Sequence, residues 1–223
     1  MYIYLHYKSK KQKMKKISVL IIAAMLGVTG ANAQAQPDRA KANKVETENS
    51  KWTNDPVHSS IKFTVSHLTV SEVEGRFKTF NGTIESPSKD FNNAQVKFTV
   101  EVNSITTEEE NRDKHLKSDD FFNAEKYPQM TFTSTSFKKV KGNVYGLEGN
   151  LTIRDVTKKI KFAVLYGGTA VDPYGNTKAG FKATGKISRK EYGLKWNKLM
   201  EAGGAVVGDE VNLLLNFEFA KQK

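Results

Sequence analysis

The chain contains no cysteine among its 223 residues. This absence excludes disulfide bonds, thiol nucleophiles and a lipid anchor attached to cysteine. A fold without such cross-links must be stabilised by its hydrophobic core, and 13 Phe and 8 Tyr are enough to fill one core. A single all-β domain commonly reaches this length.

Motifs of nucleophilic and phosphate chemistry are also missing. The sequence has no G-x-S-x-G, and no glycine-rich loop precedes a helix. The histidines lack the H-x-x-x-H and H-x-E-x-H spacings of metal sites, since His58 and His67 are nine positions apart. We therefore predict no catalytic residues, no cofactor and no metal. Convergence of His58, His67 and His115 on zinc stays open as the alternative, a metal-dependent enzyme or redox partner.

Acidic residues are absent from the first sixteen positions. The lysines there are Lys8, Lys10, Lys11, Lys13, Lys15 and Lys16. An apolar run over Ile17–Val28 and small residues over 29–35 follow, and together the three parts are typical of a secretory signal peptide. The run is shorter than the roughly 20 residues of a spanning helix. An uncleaved membrane anchor is the alternative.

Cleavage near Ala33 or Ala35 predicts a periplasmic or secreted protein. It removes six positive charges, so the formal charge falls from +11 to 11 − 6 = +5 and no longer suggests a nucleic-acid partner. Met14 is a plausible true start, because Met14-Lys15-Lys16 opens an ordinary signal. The polar residues 36–50 read as a flexible leader.

Residues 51–223 alternate apolar and polar side chains, which indicates half-buried strands. Eight apolar rows recur, beginning near Ile61, Val73, Ala94, Met130, Tyr145, Ile160, Ala179 and Val211. The second row shifts phase between Phe77 and Phe80, which predicts a bulge. An antiparallel sheet with one dry face must close or fold in half, so the pattern fits an eight-stranded barrel or a two-sheet sandwich.

Two connections are too long to be turns. Residues 104–127 predict a short helix over about Glu108–Lys117, with Thr106 or Thr107 as its N-cap. Residues 189–208 are rich in glycine and aromatic side chains. Loops of this length in compact domains usually line or cover a site.

Small residues interrupt the inward rows. They are Gly75, Ala94, Gly149, Ala179, Ala183 and Gly185. They have two readings: small and large residues alternate to fill a tapering solid core, or the small ones leave a lumen.

Several motifs resemble those of the YceI-like family. They include DPVHSSIKFTVSH from Asp55, NRDKHLKS from Asn111, GNLTIRDVTK from Gly149 and SRKEYGL from Ser188, and the likeness runs from about Trp52 to Phe219. The resemblance implies an exported, eight-stranded antiparallel, lipocalin-like barrel that binds isoprenoid, quinone-like or fatty-amide lipids in an apolar channel. Many members have Gly where Asp155 stands, which concerns turn geometry.

This resemblance favours the lumen and gives the apolar rows a role. The predicted lipid-contacting residues are Phe63, Val65, Phe77, Phe98, Phe132, Leu151, Phe162, Phe181 and Leu215. The predicted headgroup residues at one end are His67, Asn111, Arg112, His115 and Arg189, with the Trp196 loop as a lid. A buried, satisfied His67 and merely solvated helix charges are the alternatives.

The predicted partner is a long-chain isoprenoid, quinone-like or acyl lipid that the protein sequesters or carries. Nucleic acid is not expected, because lysines do not interleave with the inward aromatic residues. A transient membrane contact and a homodimer are further hypotheses.

Overall fold

The structure is a computed structural model that describes residues 49–198 and 206–223. The predicted signal peptide and most of the predicted leader lie outside the described residues. Within the described ranges, no helix is long and apolar enough to cross a membrane.

Strands dominate the described residues, as the alternation predicts. The segments are β1 Ser50–Asn54, β2 Ser60–His67, β3 Ser71–Phe77, β4 Phe80–Ser86, β5 Gln95–Glu101, β6 Ile105–Thr106, β7 Gln129–Lys141, β8 Val144–Ile153, β9 Val156–Val171, β10 Thr177–Ser188 and β11 Val207–Lys221. One helix, α1 Glu110–Lys117, lies between β6 and β7.

These segments form a closed antiparallel barrel of eight strands. The order of neighbours is β1-β4-β5-β7-β8-β9-β10-β11, and β11 pairs with β1 to close the barrel. The remaining segments β2, β3 and β6 extend β1, β4 and β5, respectively, so the eleven segments make eight strands. Closure joins the first strand to the last, since β11 pairs with β1 at Thr53–Ala220 and with β2 at Phe63–Leu213. The predicted eight-stranded barrel is confirmed.

The three barrel strands that consist of two segments each could be predicted only in part from the sequence. The predicted second strand is two segments, because Lys78 and Thr79 separate β3, which pairs with β2, from β4, which pairs with β1 and β5. The phase shift thus marks a break rather than a single bulge. β1 went unpredicted because Trp52 is its only large apolar side chain.

The helix is shorter than predicted and has a different cap. Its N-cap is Glu109, whose carboxylate accepts hydrogen bonds from the backbone N–H groups of Asn111 and Arg112. Thr107 does not cap the helix, because Asp113 accepts hydrogen bonds from its hydroxyl at 2.6 Å and from its N–H at 2.7 Å.

The two ends of the barrel differ. The end that carries the β4–β5 connection, here called the plug end, is filled by Phe91, which is 1% exposed. Its ring centroid lies 5.1 Å from that of Trp52, 5.1 Å from that of Phe181 and 5.4 Å from that of Tyr166. Aromatic packing therefore blocks this end.

The opposite end, here called the mouth end, carries the two long connections. Residues 110–128 and 189–198 lie over it, and we call these two segments the cover. Both segments bury side chains over the barrel, among them Phe121, Tyr192 and Leu194. Access to the interior from this end depends on the cover.

Candidate functional site

A cavity of about 200 Å³ occupies the barrel interior. Its walls are formed by inward-facing side chains of the barrel strands and by side chains of the cover. All nine residues predicted to contact lipid line it, namely Phe63, Val65, Phe77, Phe98, Phe132, Leu151, Phe162, Phe181 and Leu215. The sequence therefore located the wall of the cavity, and the role of these side chains toward a ligand stays a prediction.

The cavity offers almost no polar group. Lys62, Thr131 and Arg189 are the polar residues among those that line it. The Lys62 ammonium is turned away, donating to Glu74 at 2.8 Å, and Thr131 is exposed on the outer wall. Apolar cavities of about 150 Å³ stay dry and take up apolar guests, so this space suits hydrocarbon rather than water.

Glycines beside the phenylalanines shape the cavity wall. Phe63 stands directly across from Gly75 in the β2–β3 register, and Phe162 stands across from Gly185 in the β9–β10 register. A Cβ at Gly185 would lie 2.6 Å from the Phe162 ring, closer than real Cβ contacts. The inward glycines thus neither fill a solid core nor simply leave space, because aromatic rings lie against them.

The cover faces the cavity with apolar side chains. Leu116, Phe121, Phe122 and Leu194 line the cavity from the mouth end. Outside them, the Trp196 ring lies 5.4 Å from that of Phe121. Trp196 does not itself line the cavity, so it belongs to the outer layer of the cover.

His115 joins the two segments of the cover. Its ring lies 4.9 Å from that of Trp196 and 5.0 Å from that of Phe121. Its Nε2 lies 2.8 Å from a carboxylate oxygen of Asp120. His115 therefore packs within the cover and is not among the residues that line the cavity.

Arg189 begins the second segment of the cover and is 4% exposed. Its guanidinium donates to the carbonyl oxygens of Gly208 at 2.7 Å, Leu194 at 2.6 Å, Trp196 at 2.8 Å and Val207 at 3.2 Å. Burial lowers the pKa of Arg189 below its usual value, but arginine stays charged. The predicted headgroup residue is thus committed mainly to holding the cover in place.

Arg112 and Asn111 are also placed away from the interior. Arg112 donates from Nε to the Thr107 hydroxyl at 2.7 Å and from its terminal nitrogen to the Thr107 carbonyl at 2.9 Å. Asn111 is exposed on α1. The helix polar groups serve the local structure of the connection.

The three histidines do not converge in the described part of the chain. His67 ends β2, half-buried and outside the cavity lining, although alternation placed it on the inward face. His58 lies on the outer wall, where its Nδ1 is 3.1 Å from Asp55. The zinc alternative is not favoured.

His58 belongs to a charged group in which Asp55 and Glu218 also take part. An ammonium already occupies its centre, since Lys178 lies 2.9 Å from Asp55 and 3.2 Å from Glu218. The Lys178 hydrogen bond holds the pKa of the Asp55 carboxyl well below its usual range. We therefore assign this group to the stability of the barrel.

Two elements of the mouth end were missed by the sequence prediction. Arg154, in the β8–β9 turn, donates to the carbonyls of Phe121 at 3.2 Å and Gly193 at 3.3 Å, one from each segment of the cover. Tyr192, in the second segment of the cover, is almost fully buried, and burial raises its pKa to about 12. The sequence carried one signal that a layer of side chains covers the mouth end, because the apolar pair Phe121-Phe122 lies in an otherwise polar connection.

Known proteins share this sequence and architecture. The pattern of the YceI-like domain matches residues 52–219. Protein YceI of Salmonella newport is 35% identical over 209 residues, which span 94% of this chain and 99% of that protein. The crystal structure of the Campylobacter jejuni YCEI protein is 32% identical with a TM-score of 0.61, covering 71% of this chain and 90% of that one.

A more distant neighbour has the same fold. The polyisoprenoid binding domain from Saccharophagus degradans is 15% identical with a TM-score of 0.57, covering 77% of this chain and 98% of that one. With the family pattern matching most of the chain, this protein belongs to the YceI-like family.

Proposed function

We propose that this protein is an exported lipid-binding protein that sequesters or carries a long apolar isoprenoid, quinone-like or acyl lipid inside its barrel. The observation that carries the proposal is the apolar cavity, closed by Phe91 at one end and by the cover at the other. The signal-like residues 1–35 support export to the periplasm or the medium.

Burial of the hydrocarbon chain supplies the affinity. Each buried CH₂ contributes about 0.8 kcal/mol, so a chain of several isoprene units needs no polar contact to be retained. The lining offers little that would hold an anionic group within the lumen, because the Arg189 guanidinium donates to four backbone carbonyls. We therefore place any polar headgroup at the cover.

The relatives agree with this function without establishing it for this chain. The domain from Saccharophagus degradans is described as polyisoprenoid-binding, and at 15% identity its likeness shows the fold alone. The family membership supports a binding protein rather than an enzyme.

Native mass spectrometry of the protein beginning at Gln36, followed by organic extraction, tests the proposal. We expect a stoichiometric adduct whose extracted component is a long-chain isoprenoid or acyl lipid. A bare protein mass that persists after incubation with quinones and prenyl lipids would contradict it.

Phe98→Arg tests the position of the lipid. The change places a guanidinium in the apolar cavity, and burying an unpaired charge costs several kcal/mol. We expect lipid retention to fall roughly 100-fold or more. Thr99→Arg puts the same group on the neighbouring outward position of β5 and serves as the control. Unchanged retention in Phe98→Arg would remove β5 from the binding site.

A further inference from the structure

Four phenylalanines that line the cavity lie against glycines of neighbouring strands. The pairs are Phe63 with Gly75, Phe98 with Gly82, Phe132 with Gly149 and Phe162 with Gly185. Three of the pairs stand directly opposite each other in the strand register, and Phe132 and Gly149 stand diagonally across β7 and β8. The arrangement recurs at four of the barrel's eight seams.

Each ring uses the space that a Cβ would occupy. A Cβ on Gly75 would lie 2.7 Å from Cε1 of Phe63, and one on Gly82 would lie 2.8 Å from Cδ1 of Phe98. Glycine in a strand often marks a close approach of another group, and aromatic side chains are known to cover glycines across strands. Because the strand backbone lies behind each glycine, we expect a displaced ring to move toward the lumen.

We infer that Gly75, Gly82, Gly149 and Gly185 set the width of the lumen and thereby decide which hydrocarbon chains it admits. With the rings held flat against the wall, the lumen has room for a methyl-branched prenyl chain. With a ring pushed inward, an unbranched acyl chain still passes where a branched one is excluded. This inference rests on the proposed function and assigns it a chain-shape preference.

The chain offers matched controls. Gly180 lies on β10, and a Cβ there would meet nothing within 4 Å. Gly180→Ala therefore makes the same chemical change without displacing a ring. Gly75→Ala combined with Phe63→Leu removes the displaced ring and should restore the space.

The experiment compares how the delipidated protein binds geranylgeraniol and hexadecanol, an alcohol with a main chain of the same length but without methyl branches or double bonds. We expect Gly75→Ala to lower the affinity for geranylgeraniol about tenfold or more, the usual effect of a methylene-sized change in an apolar pocket. The affinity for hexadecanol should fall less. Gly180→Ala should match the original protein, and the double variant should regain binding of the branched alcohol.

Equal losses for both alcohols, or no recovery in the double variant, would overturn the inference. A crystal structure of Gly75→Ala decides the matter independently of any lipid, since a Phe63 ring that stays on the wall also overturns it. If the original protein binds neither alcohol while the ring does swing inward, the proposed function fails and the account of the lumen width stands. Gly82→Ala with Phe98→Leu repeats the test at a second seam should Gly75→Ala fail to fold.

Discussion

Arg189 carries a positive charge into the interior, and within residues 49–198 and 206–223 no carboxylate is hydrogen-bonded to it. Its partners are four backbone carbonyls, two within the second segment of the cover and two at the start of β11. Asp209, whose charge acts on Arg189, is engaged with the Ser188 hydroxyl and the Lys190 N–H. A planar guanidinium suits this role, because it presents several donors in fixed directions.

Replacing Arg189 should destabilise the fold. Arg189→Met leaves buried carbonyls unpaired, and we expect the free energy of unfolding to fall by about 3 kcal/mol or more. Arg189→Lys should lower the free energy of unfolding by a smaller amount, since an ammonium can reach some but not all of the four oxygens. Urea unfolding measures the effect, with exposed Lys190→Met as the control. A loss of lipid binding with undiminished stability would instead make Arg189 a headgroup residue, as the sequence suggested.

At the scale of elements, the two segments of the cover meet through three rings. Trp196, Phe121 and His115 pack edge-on or tilted within 5.4 Å of one another. The first segment follows β6 and the second precedes β11, so these contacts join opposite parts of the sequence. Opening the mouth end requires that this cluster separate.

Trp196→Ala should therefore speed lipid exchange. Loss of the aromatic contacts removes about 1 kcal/mol or more of stability from the closed state, which corresponds to release that is faster by roughly fivefold or more. Stopped-flow transfer of a fluorescent prenyl lipid to vesicles measures the rate, and Trp196→Phe should stay close to the original protein. An unchanged rate in Trp196→Ala would show that release does not pass the cover at this point.

The inward rows were predictable because the pleat enforces a period of two. Phe98, Phe132 and Phe162 share an inward face as their spacing indicated, and all three line the cavity. His67 departs from this rule at the end of β2, although it still pairs with Ser71 of β3 and with Val207 of β11. Its partner Val207 is separated from the next pair, Val211–Val65, by a register shift.

The polar side chains of the connections were less predictable. Arg112 and Arg189 were assigned to a ligand because charged residues near a barrel mouth suggest a headgroup. Both donate to the chain itself, a role the sequence did not predict, and their role toward a ligand stays a prediction. Hydrogen-bond partners in an irregular segment depend on backbone paths that no periodicity encodes. Phe91 illustrates the same limit, since a lone Phe in a polar turn gave no sign that it fills the plug end.

At the scale of the whole molecule, one charged group sits at the closure of the barrel. Asp55 lies between β1 and β2, Lys178 on β10 and Glu218 on β11, and Lys178 contacts both carboxylates. The Asp55 and Lys178 side chains are each 18% exposed, so their interaction is partly shielded from solvent. This group joins the beginning of the barrel to its end.

Asp55 should make stability depend on acid. Its pKa is lowered in the folded state, mainly by Lys178, so it stabilises the fold above the unfolded-state value of about 3.9 and ceases to do so as the pH falls toward the folded-state value. Asp55→Asn should lower the free energy of unfolding by about 1 to 2 kcal/mol at neutral pH and much less near about pH 2. Chemical denaturation at both pH values measures this, and exposed Asp155→Asn is the control. An equal deficit at both pH values would argue against the charge as the cause.

Closure of the barrel by β11 also orders events in time. Ala220 and Leu213 complete the wall against Thr53 and Phe63, so an emerging chain cannot form the cavity before β11 has left the ribosome. Contacts between such distant parts of a sequence form slowly, and until then the apolar faces of the earlier strands stay open to chaperones. Under the proposed function, lipid can therefore enter only after β11 has been made, and we expect a protein truncated before β11 to bind no lipid at all rather than to bind it more weakly.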